Sequence, residues 1–408
     1  MDILPILSTL RRHKTAAILI VVEIALSCAI VCNALFLIGD RLDTMRRPSG
    51  VAERELVRVQ VAGIGRNANA EAITREDLAA LRAIPGVRSV ATSPMVPFGE
   101  STWNTSINLQ PDQDRPSASG ASYYGGEGFL ETLGLELIAG RDFAADEYRE
   151  MAGARAGDEG QYPPVAILSR ALAERLFPGE SALGRSIYTF GEAPIRVVGV
   201  VDRLLRPNPR RDSTVAEDTL IFPLRMNYSE GAYYLIRTDP DRRDEVLEAA
   251  VRALEAVNSS RVVIYRDTVE SLRSDFYRQD RAMAWLLVTV CVALLVVTAL
   301  GIVGLASFWV QQRTRQIGIR RALGATRGQI MRYFQTENFL LATLGIALGM
   351  LLAYGINLWL MQTYALPRLP LAFLPAGAIA LWVLGQIAVL GPARRAARVP
   401  PAVATRSA

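Results

Sequence analysis

The sequence predicts an α-helical membrane protein with four transmembrane helices and one large mixed α/β domain. Of the 408 residues, 50% are hydrophobic and 21% are charged. This composition is too apolar for an average soluble protein and too charged for a chain embedded in the membrane throughout. Four stretches reach the roughly 20 apolar residues that a bilayer core demands. A long polar segment with strand and helix patterns separates the first stretch from the second.

The four predicted spans divide the chain into segments. They cover residues 16–38, 282–310, 334–361 and 371–390. The other segments are an amphipathic N-terminal cytoplasmic helix (1–15), the polar α/β domain (39–281), a basic cytoplasmic segment (311–333), a short external loop (362–370) and a cytoplasmic tail (391–408). The first span has a basic flank, as signal peptides do. It is long for a signal peptide and no small-residue cleavage site closes it, so we expect a retained anchor.

The arginines in the short loops predict the orientation of the chain, because positive residues concentrate on the cytoplasmic side of a membrane. The external loop holds only one of them, Arg368. We therefore expect both chain ends and segment 311–333 in the cytoplasm, and residues 39–281 outside it. The basic residues behind this expectation are Arg11, Arg12 and Lys14 before the first span, Arg313, Arg315, Arg320, Arg321, Arg327 and Arg332 between the second and third, and Arg394, Arg395, Arg398 and Arg406 after the fourth.

Two strand-helix-strand patterns bracket the polar domain. The first consists of a strand at Leu56–Val61, a helix at Thr74–Ile84 opened by Thr74, and a strand at Val87–Thr92; the second consists of a strand at Ala232–Arg237, a helix at Asp241–Val257 and a strand at Arg261–Tyr265. We expect these units, about residues 50–97 and 231–266, to pair into one split α/β subdomain. Residues 98–230 would then be an inserted second subdomain.

The inserted segment has a weaker pattern. Strands are predicted near Trp103–Leu109, Val165–Leu168 and Ile195–Val201. The segments Gln110–Gly120 and Met151–Pro164 are polar and contain Gly or Pro, so they are predicted to be loops.

The end of the polar domain carries a helix signal. Asp267-Thr-Val-Glu270 has the spacing of a capping box, and no Pro or Gly follows until Gly301. One helix is therefore expected to run from the domain through the second span, the alternative being two helices with a kink between them. By the same argument the first span continues outward to about Met45, before Pro48.

The sequence contains no motif typical of catalysis or of cofactor binding. The single histidine, His13, lies in a basic flank, and Cys28, Cys32 and Cys291 all lie in apolar runs, which excludes a disulfide framework or a Cys/His metal cluster in the polar domain. The phosphate-binding P-loop pattern is absent, and Gly63-Ile-Gly65 lacks the third glycine of a dinucleotide loop. We expect no catalytic residues, no metal and no bound cofactor in this chain. The small net charge of +5 gives no reason to expect nucleic-acid binding.

The basic segment 311–333 is the most informative stretch, because it carries apolar residues among its arginines. Apolar side chains in a short cytoplasmic segment are costly unless a partner or lipid covers them. The run Gln316-Ile-Gly-Ile-Arg-Arg-Ala-Leu-Gly-Ala325 resembles the Glu-Ile-Gly-Ile-Arg-Arg-Ala-Leu-Gly-Ala pattern of MacB/FtsX-family permeases. In that family this segment is the coupling helix that docks into the ATPase subunit. The residues that the resemblance assigns to coupling are Arg313, Arg315, Gln316, Ile317, Gly318, Ile319, Arg320, Arg321, Leu323 and Gly324. Gln316 replaces the usual Glu, so an ion pair made by that acid is not carried over to this chain.

The resemblance extends over most of the chain. It is carried by Ala139–Phe143, Val165–Leu176, Phe177–Gly179, Leu183–Arg185, Val197–Val201 and the tail Gly391–Pro400. It implies a bacterial inner-membrane protein whose periplasmic domain has porter-like and sabre-like parts. It also implies a second permease, identical or paralogous, and two copies of an ATPase that binds the ATP and Mg. A membrane-fusion protein and an outer-membrane channel are further possible partners.

The functions that the resemblance implies are of two kinds. In the first, the chain is the permease of a mechanotransmission transporter that exports an amphipathic peptide, antibiotic, siderophore or lipoprotein. In the alternative, it is an FtsX-like regulator that transmits ATPase motion to a periplasmic enzyme. The large external domain favours transport.

The spans contain a candidate helix-packing face. Gly345-x-x-x-Gly349 and Gly301-x-x-Gly304 with Ser307 are small-residue patterns that allow close approach of helices. Glu23 lies inside the first span, where a lipid-facing carboxylate is costly, so it is expected to face a partner helix. These residues serve either a permease–permease interface or packing within the subunit, and the sequence leaves both open.

Overall fold

The computed structural model describes residues 14–63, 69–156, 161–209, 214–228, 231–364 and 369–400. The chain divides into two compact units, a membrane unit (residues 1–45 and 279–408) and an α/β domain (residues 46–278). Most of the predicted N-terminal amphipathic helix, residues 1–13, lies outside the described residues.

The described elements are numbered in chain order. The helices are α1 (Lys14–Arg46), α2 (Ala70–Arg82), α3 (Phe129–Leu133), α4 (Met151–Ala156), α5 (Arg170–Leu176), α6 (Arg243–Val257), α7 (Val269–Phe276), α8 (Arg278–Gln312), α9 (Thr314–Ala322), α10 (Arg327–Tyr364) and α11 (Phe373–Ala397). The strands are β1 (Leu56–Gly63), β2 (Val87–Thr92), β3 (Asn104–Ile107), β4 (Ala118–Tyr124), β5 (Leu137–Gly140), β6 (Arg149–Glu150), β7 (Val165–Ser169), β8 (Ser186–Ile187), β9 (Ile195–Val201), β10 (Thr219–Phe222), β11 (Leu224–Arg225), β12 (Ala232–Thr238) and β13 (Arg261–Thr268).

Four helices, α1, α8, α10 and α11, are long and apolar enough to cross a membrane. Together with the mixed α/β domain they confirm the predicted fold class. Each of these helices is longer than its apolar stretch, and polar residues form the additional turns at its ends. α1 ends at Arg46, two residues before Pro48, which lacks the amide hydrogen that a further helical turn needs.

α1 is the central helix of the membrane unit. Of its most apolar stretch, 56% is buried, compared with 17% for α8. Its buried residues Ile24, Cys28 and Cys32 belong to one apolar cluster with Ile346 of α10 and Ala378 of α11. α8 therefore leaves most of its surface open.

The four-stranded sheet of the α/β domain joins the two strand-helix-strand units. Its order is β13-β1-β12-β2, and every neighbouring pair is antiparallel. Alternate residues of β1 (Val57, Val59 and Val61) are buried in one cluster with Leu81 of α2 and Leu254 of α6. This alternation places one face of the sheet against the two helices.

The start of α2 differs from the prediction. The helix begins at Ala70, and Asn69 caps it by accepting a hydrogen bond from the backbone N–H of Ala72 at 3.3 Å. Thr74 lies inside the helix, where its hydroxyl donates to the carbonyl of Ala70 and accepts from the N–H of Tyr228, both at 2.8 Å. A side chain used in this way cannot cap a helix start.

The insert forms a second sheet in the order β3-β4-β10-β7-β9-β5, with β8 paired to β9. It is mixed, since β4 and β10 are parallel and so are β7 and β9. Two segments predicted as loops differ from that prediction. β4 begins at Ala118 inside the first, and Met151–Ala156 of the second is helical, with Met151 buried in the core.

The end of the α/β domain corrects the capping prediction. The cap of α7 is Thr268, whose hydroxyl accepts from the N–H of Ser271 at 3.0 Å. Asp267 instead forms an ion pair with Arg58 at 2.8 Å. α7 ends at Phe276 and α8 begins at Arg278, so the single unbroken helix is wrong and the alternative of two helices is right. Tyr277, the residue between them, is buried and packs edge-on against Phe98.

Candidate functional site

The basic segment forms a short helix between two turns. α9 follows Arg313 and ends in a turn at Gly324, which has φ of +99° and therefore favours glycine. α10 then starts with a reciprocal cap. The hydroxyl of Thr326 accepts from the N–H of Gln329 at 3.2 Å, and the side-chain oxygen of Gln329 accepts from the N–H of Thr326 at 2.9 Å. The segment therefore has defined ends.

α9 has one buried and one exposed face. Ile317 and Gly318 are buried, and Ile317 belongs to a cluster with Ile330 and Phe334 of α10 and Ala396 of α11. On the opposite face, the side chains of Ile319 and Leu323 are 47% and 83% exposed. Apolar residues this exposed on a segment with a fixed conformation indicate a contact surface.

The residues predicted for coupling are thus divided between two roles. Ile317, Gly318 and Arg313 lie within the chain's own packing. The exposed members are Arg315, Gln316, Ile319, Arg320, Leu323 and Gly324. We name these six the coupling surface. Arg321 is half-buried and donates to the backbone carbonyl of Val399, which connects α9 to the tail.

A buried ion pair connects the segment to α10. Nη1 of Arg313 lies 3.0 Å from both carboxylate oxygens of Glu337, and their side chains are only 7% and 2% exposed. The Arg313 guanidinium also lies over the Trp309 ring, 5.4 Å from its centre. Glu337 is not among the residues predicted for coupling. A signal was present, because Glu337 is the only acidic residue between 282 and 400.

The exposed surface around segment 311–333 is cationic. Arg320 lies over the ring of Tyr333, 5.0 Å from its centre. Seven arginines here are exposed, and no exposed acid accompanies them in residues 311–364 and 369–400. They are Arg315, Arg320, Arg327, Arg332, Arg394, Arg395 and Arg398. The surface thus offers a positive field to any partner.

Three of the predicted helix-packing glycines contact α1 within the same chain. A Cβ built on Gly345 would lie 2.9 Å from the Cβ of Ile24, and one on Gly349 would lie 2.5 Å from the Cβ of Cys28. On Gly301 it would lie 2.2 Å from Oε1 of Glu23. These three glycines therefore allow close packing of α8 and α10 against α1 within the chain.

The other two predicted packing residues are not enclosed. Nothing lies within 4 Å of a Cβ built on Gly304, and Ser307 is half-buried. Gly304 shares one side of α8 with the exposed Val297, Leu300 and Phe308, at helical spacing. This side of α8 has no neighbour within the described part of the chain.

The α/β domain contains a polar cavity of about 550 Å³. Arg75 and Arg82 of α2 line one side, and Arg225, which is paired with Glu127 at 2.6 Å and faces Glu150 at 3.6 Å, lines the other. Partial burial raises the pKa of the Glu150 carboxyl above its usual range, while nearby Arg225 opposes that shift. The lining is balanced in charge and contains no arrangement typical of a catalytic site.

Two family models match the sequence. The MacB-like periplasmic core domain matches residues 18–254, which is more than half of the chain, and the FtsX-like permease C-terminal domain matches residues 288–401.

Among curated relatives, the chain is 23% identical over 346 residues to an uncharacterized ABC transporter permease, YknZ, from Bacillus subtilis (strain 168), covering 83% of this chain and 81% of that protein. It is 22% identical over 414 residues to the macrolide export ATP-binding/permease protein MacB of Acinetobacter baylyi, covering 98% of this chain and 58% of MacB. It is 25% identical over 288 residues to the probable syringafactin export ATP-binding/permease protein SyfD of Pseudomonas syringae pv. tomato, covering 67% of this chain and 40% of SyfD. The chain thus spans little more than half, or less, of the ATP-binding/permease proteins.

Two solved structures are similar to the α/β domain region. The extracellular domain of YknZ matches with a TM-score of 0.32 and 16% identity, over 51% of this chain and 100% of that domain. The periplasmic region of MacB from Actinobacillus actinomycetemcomitans matches with a TM-score of 0.34 and 14% identity, over 57% of this chain and 97% of that region.

Proposed function

The chain belongs to the family defined by the MacB-like periplasmic core domain and carries an FtsX-like permease C-terminal domain, and from this membership we propose that it is the membrane permease of an ATP-driven transporter. In this proposal ATP and Mg are bound by a separate ATPase, present in two copies. The permease converts the movement of that ATPase into movement of its α/β domain outside the cytoplasm.

The observation that carries the proposal is the exposure of Ile319 and Leu323 on α9. Two apolar side chains stand out from a cationic surface, next to Arg315 and Arg320. A partner that fits them has an apolar groove with acidic groups at its rim, since apolar anchors with surrounding charges are typical of protein interfaces. We assign this groove to the ATPase.

The support for mechanical transmission lies in how α9 is attached. Ile317 and the Arg313–Glu337 pair connect it to α10, and Arg321 connects it to the tail after α11. α1 leads into the α/β domain along the chain and α8 leads out of it. A force applied to α9 is therefore transmitted within the membrane unit, whose helices α1 and α8 are joined along the chain to that domain.

The open side of α8 is our candidate for the contact with a second permease subunit. Val297, Leu300, Gly304 and Phe308 form an apolar strip with a notch at the glycine, which permits close helix approach. The second subunit is a copy of this chain or a related one. Only 17% of the apolar stretch of α8 is buried within this chain, so enough of its surface remains exposed to contact a second subunit.

The orientation and the substrate also belong to the proposal. The arginine distribution supports a cytoplasmic position for α9 and both chain ends in a bacterial inner membrane. Two of the relatives are named for macrolide export and syringafactin export, which supports an amphipathic substrate. We propose export as the direction of transport, with a membrane-fusion protein and an outer-membrane channel as further partners.

The test is co-purification of an ATPase with the full chain in detergent. Ile319→Asp and Leu323→Asp should each lower the recovered ATPase by at least about tenfold, because each places a charge in the apolar contact. The matched control is Gln311→Asp, which adds the same charge at an exposed position outside α9. Equal recovery from all three variants, or no ATPase with the unaltered chain, would overturn the proposal.

A further inference from the structure

The pair formed by Arg313 and Glu337 has a particular place in the fold. Arg313 is the single residue between the end of α8 and the start of α9, and Glu337 lies three turns into α10. The pair therefore joins the N-terminal end of α9, where Arg313 is the cap residue, to α10. Glu337 is the only acidic residue between 282 and 400 that could form an ion pair with the arginines of this stretch.

Stability is a poor explanation for this pair. Burying two charges is costly, and a buried ion pair is often replaceable by apolar residues without loss of stability. The pair is also incompletely satisfied, because Nη2 of Arg313 and the indole Nε1 of neighbouring Trp309 are buried without hydrogen-bond partners among the described residues. A half-satisfied polar network is worse for stability than an apolar core.

Geometry offers a better explanation. The apolar contacts of Ile317 with Ile330 and Phe334 are non-directional and allow one helix to slide along the other. In the Arg313–Glu337 contact a single nitrogen, Nη1, lies 3.0 Å from both carboxylate oxygens, and this charge-assisted contact holds Arg313 at one position along α10. Buried polar pairs are best attested as devices that fix register.

We propose that Arg313 and Glu337 are positioning residues that lock α9 to α10, so that the two helices move as one body when α9 is displaced. This inference rests on the proposed function for the source of the displacement, an ATPase bound at the coupling surface. The lock itself is a property of this chain. Without it, α9 would follow the ATPase while α10 stayed behind, and ATP hydrolysis would continue without transmission.

The first experiment uses the full chain alone in lipid nanodiscs and follows hydrogen–deuterium exchange. Glu337→Gln should speed exchange of peptides from residues 314–322 by about tenfold or more, because α9 loses its directional anchor. The exchange rates of peptides from α11 should not change. The charge-reversed pair, Arg313→Glu with Glu337→Arg, should recover at least part of the protection, which neither single reversal should do. An unchanged exchange rate in Glu337→Gln would overturn the lock.

The second experiment uses the complex with the co-purifying ATPase, with Mg-ATP and vanadate compared with no nucleotide. In the unaltered chain, the nucleotide should change exchange in both 314–322 and 327–340. In Glu337→Gln the ATPase should remain bound, the change in 314–322 should persist, and the change in 327–340 should fall by at least about half. Arg332→Gln, an exposed change on the same helix, is the control and should behave like the unaltered chain.

The two experiments separate the lock from the function. Failure of any ATPase to co-purify would refute the proposed function, while the nanodisc measurement would still decide whether Arg313 and Glu337 hold α9. If Glu337→Gln fails to fold, Arg313→Lys keeps the charge but places it on a shorter and more flexible side chain, and an intermediate loss of protection is expected. A nucleotide response in 327–340 of Glu337→Gln equal to that of the unaltered chain would overturn the proposal.

Discussion

The carboxylate of Glu23 on α1 occupies the space that a side chain at Gly301 on α8 would need. A Cβ built on Gly301 would lie 2.2 Å from Oε1 and 2.6 Å from Oε2 of Glu23. Two further contacts join the same helices. The hydroxyls of Ser27 and Thr298 lie 2.7 Å apart, and Arg41 pairs with Asp280 at 2.5 Å. Two polar contacts and this close approach therefore connect an otherwise apolar pair of helices.

Gly301→Ala is expected to destabilise the membrane unit by displacing the Glu23 carboxylate from its place beside α8. Because the displaced atoms are the end of a flexible side chain, the cost should be moderate, about 1 kcal/mol, at the low end of overpacking changes. Thermal unfolding of the full chain in detergent measures it. Gly355→Ala on α10 is the matched control, since nothing lies within 4 Å of that position and it is not part of the open side of α8.

A double variant makes this test specific. Glu23→Ala removes the atoms that the new methyl group meets, so Glu23→Ala with Gly301→Ala should cost less than the sum of the two single changes. Additive losses would show that the contact between Glu23 and Gly301 is not the cause.

Gly349→Ala should be more harmful than Gly301→Ala. A Cβ at Gly349 would lie 2.5 Å from the Cβ of Cys28 and 2.6 Å from the carbonyl oxygen of Ala25, and neither atom can move without the backbone of α1. We expect a loss of about 2–3 kcal/mol, or misassembly of the bundle, measured by the same unfolding assay. Gly355→Ala, on the same helix but with nothing within 4 Å, should be neutral. Similar effects of both changes would contradict the packing of α10 on α1.

The α/β domain should depend on the buried pair Asp77–Arg261. The two side chains are fully buried and 2.8 Å apart, and the hydroxyl of Tyr234 donates to the same Asp77 oxygen at 2.5 Å. Asp77→Asn leaves the Arg261 charge uncompensated, so a loss of about 3–5 kcal/mol is expected. The readout is protection of β1 and β12 in hydrogen exchange of the full chain.

The control for this prediction is an exposed ion pair in the same domain. Glu248 and Arg252 lie one turn apart on α6, with their charged groups 3.6 Å apart and about 70% of each side chain exposed. Glu248→Gln should cost less than about 1 kcal/mol, because water screens such pairs. A comparable loss of stability in Asp77→Asn and Glu248→Gln would show that burial is not the reason why the Asp77–Arg261 pair stabilises the domain.

Hydropathy predicted the spans because the bilayer imposes a length and a composition that few other structures share. The sequence also contained enough information to predict that α9 has two different faces. The prediction nevertheless assigned both Ile317 and Ile319 to the contact with the ATPase. Residues two apart on a helix lie about 200° apart, so these two isoleucines cannot share a face. Helical spacing groups Ile319 with Leu323, which is the pair observed on the exposed face.

Other features depended on contacts that are distant in sequence. Glu337 lies 24 residues from Arg313, and nothing local indicates that the two meet. Thr74 has the residue type of a helix cap, but its hydroxyl is used by Tyr228, which is 154 residues away. β4 consists mostly of small residues, and it becomes a strand because β3 and β10 pair with it on either side.

The orientation of the chain is predicted to place Thr326 in the cytoplasm and Ser259 outside it. Both positions are exposed, so a cysteine introduced at either one should react with a maleimide that does not cross membranes. Ser259→Cys should be labelled in spheroplasts and Thr326→Cys only in inside-out vesicles. The native Cys28, Cys32 and Cys291 are buried and should give a low background in the unaltered chain. The opposite labelling pattern would place the coupling surface away from ATP, and no ATP-driven function could then be built on it.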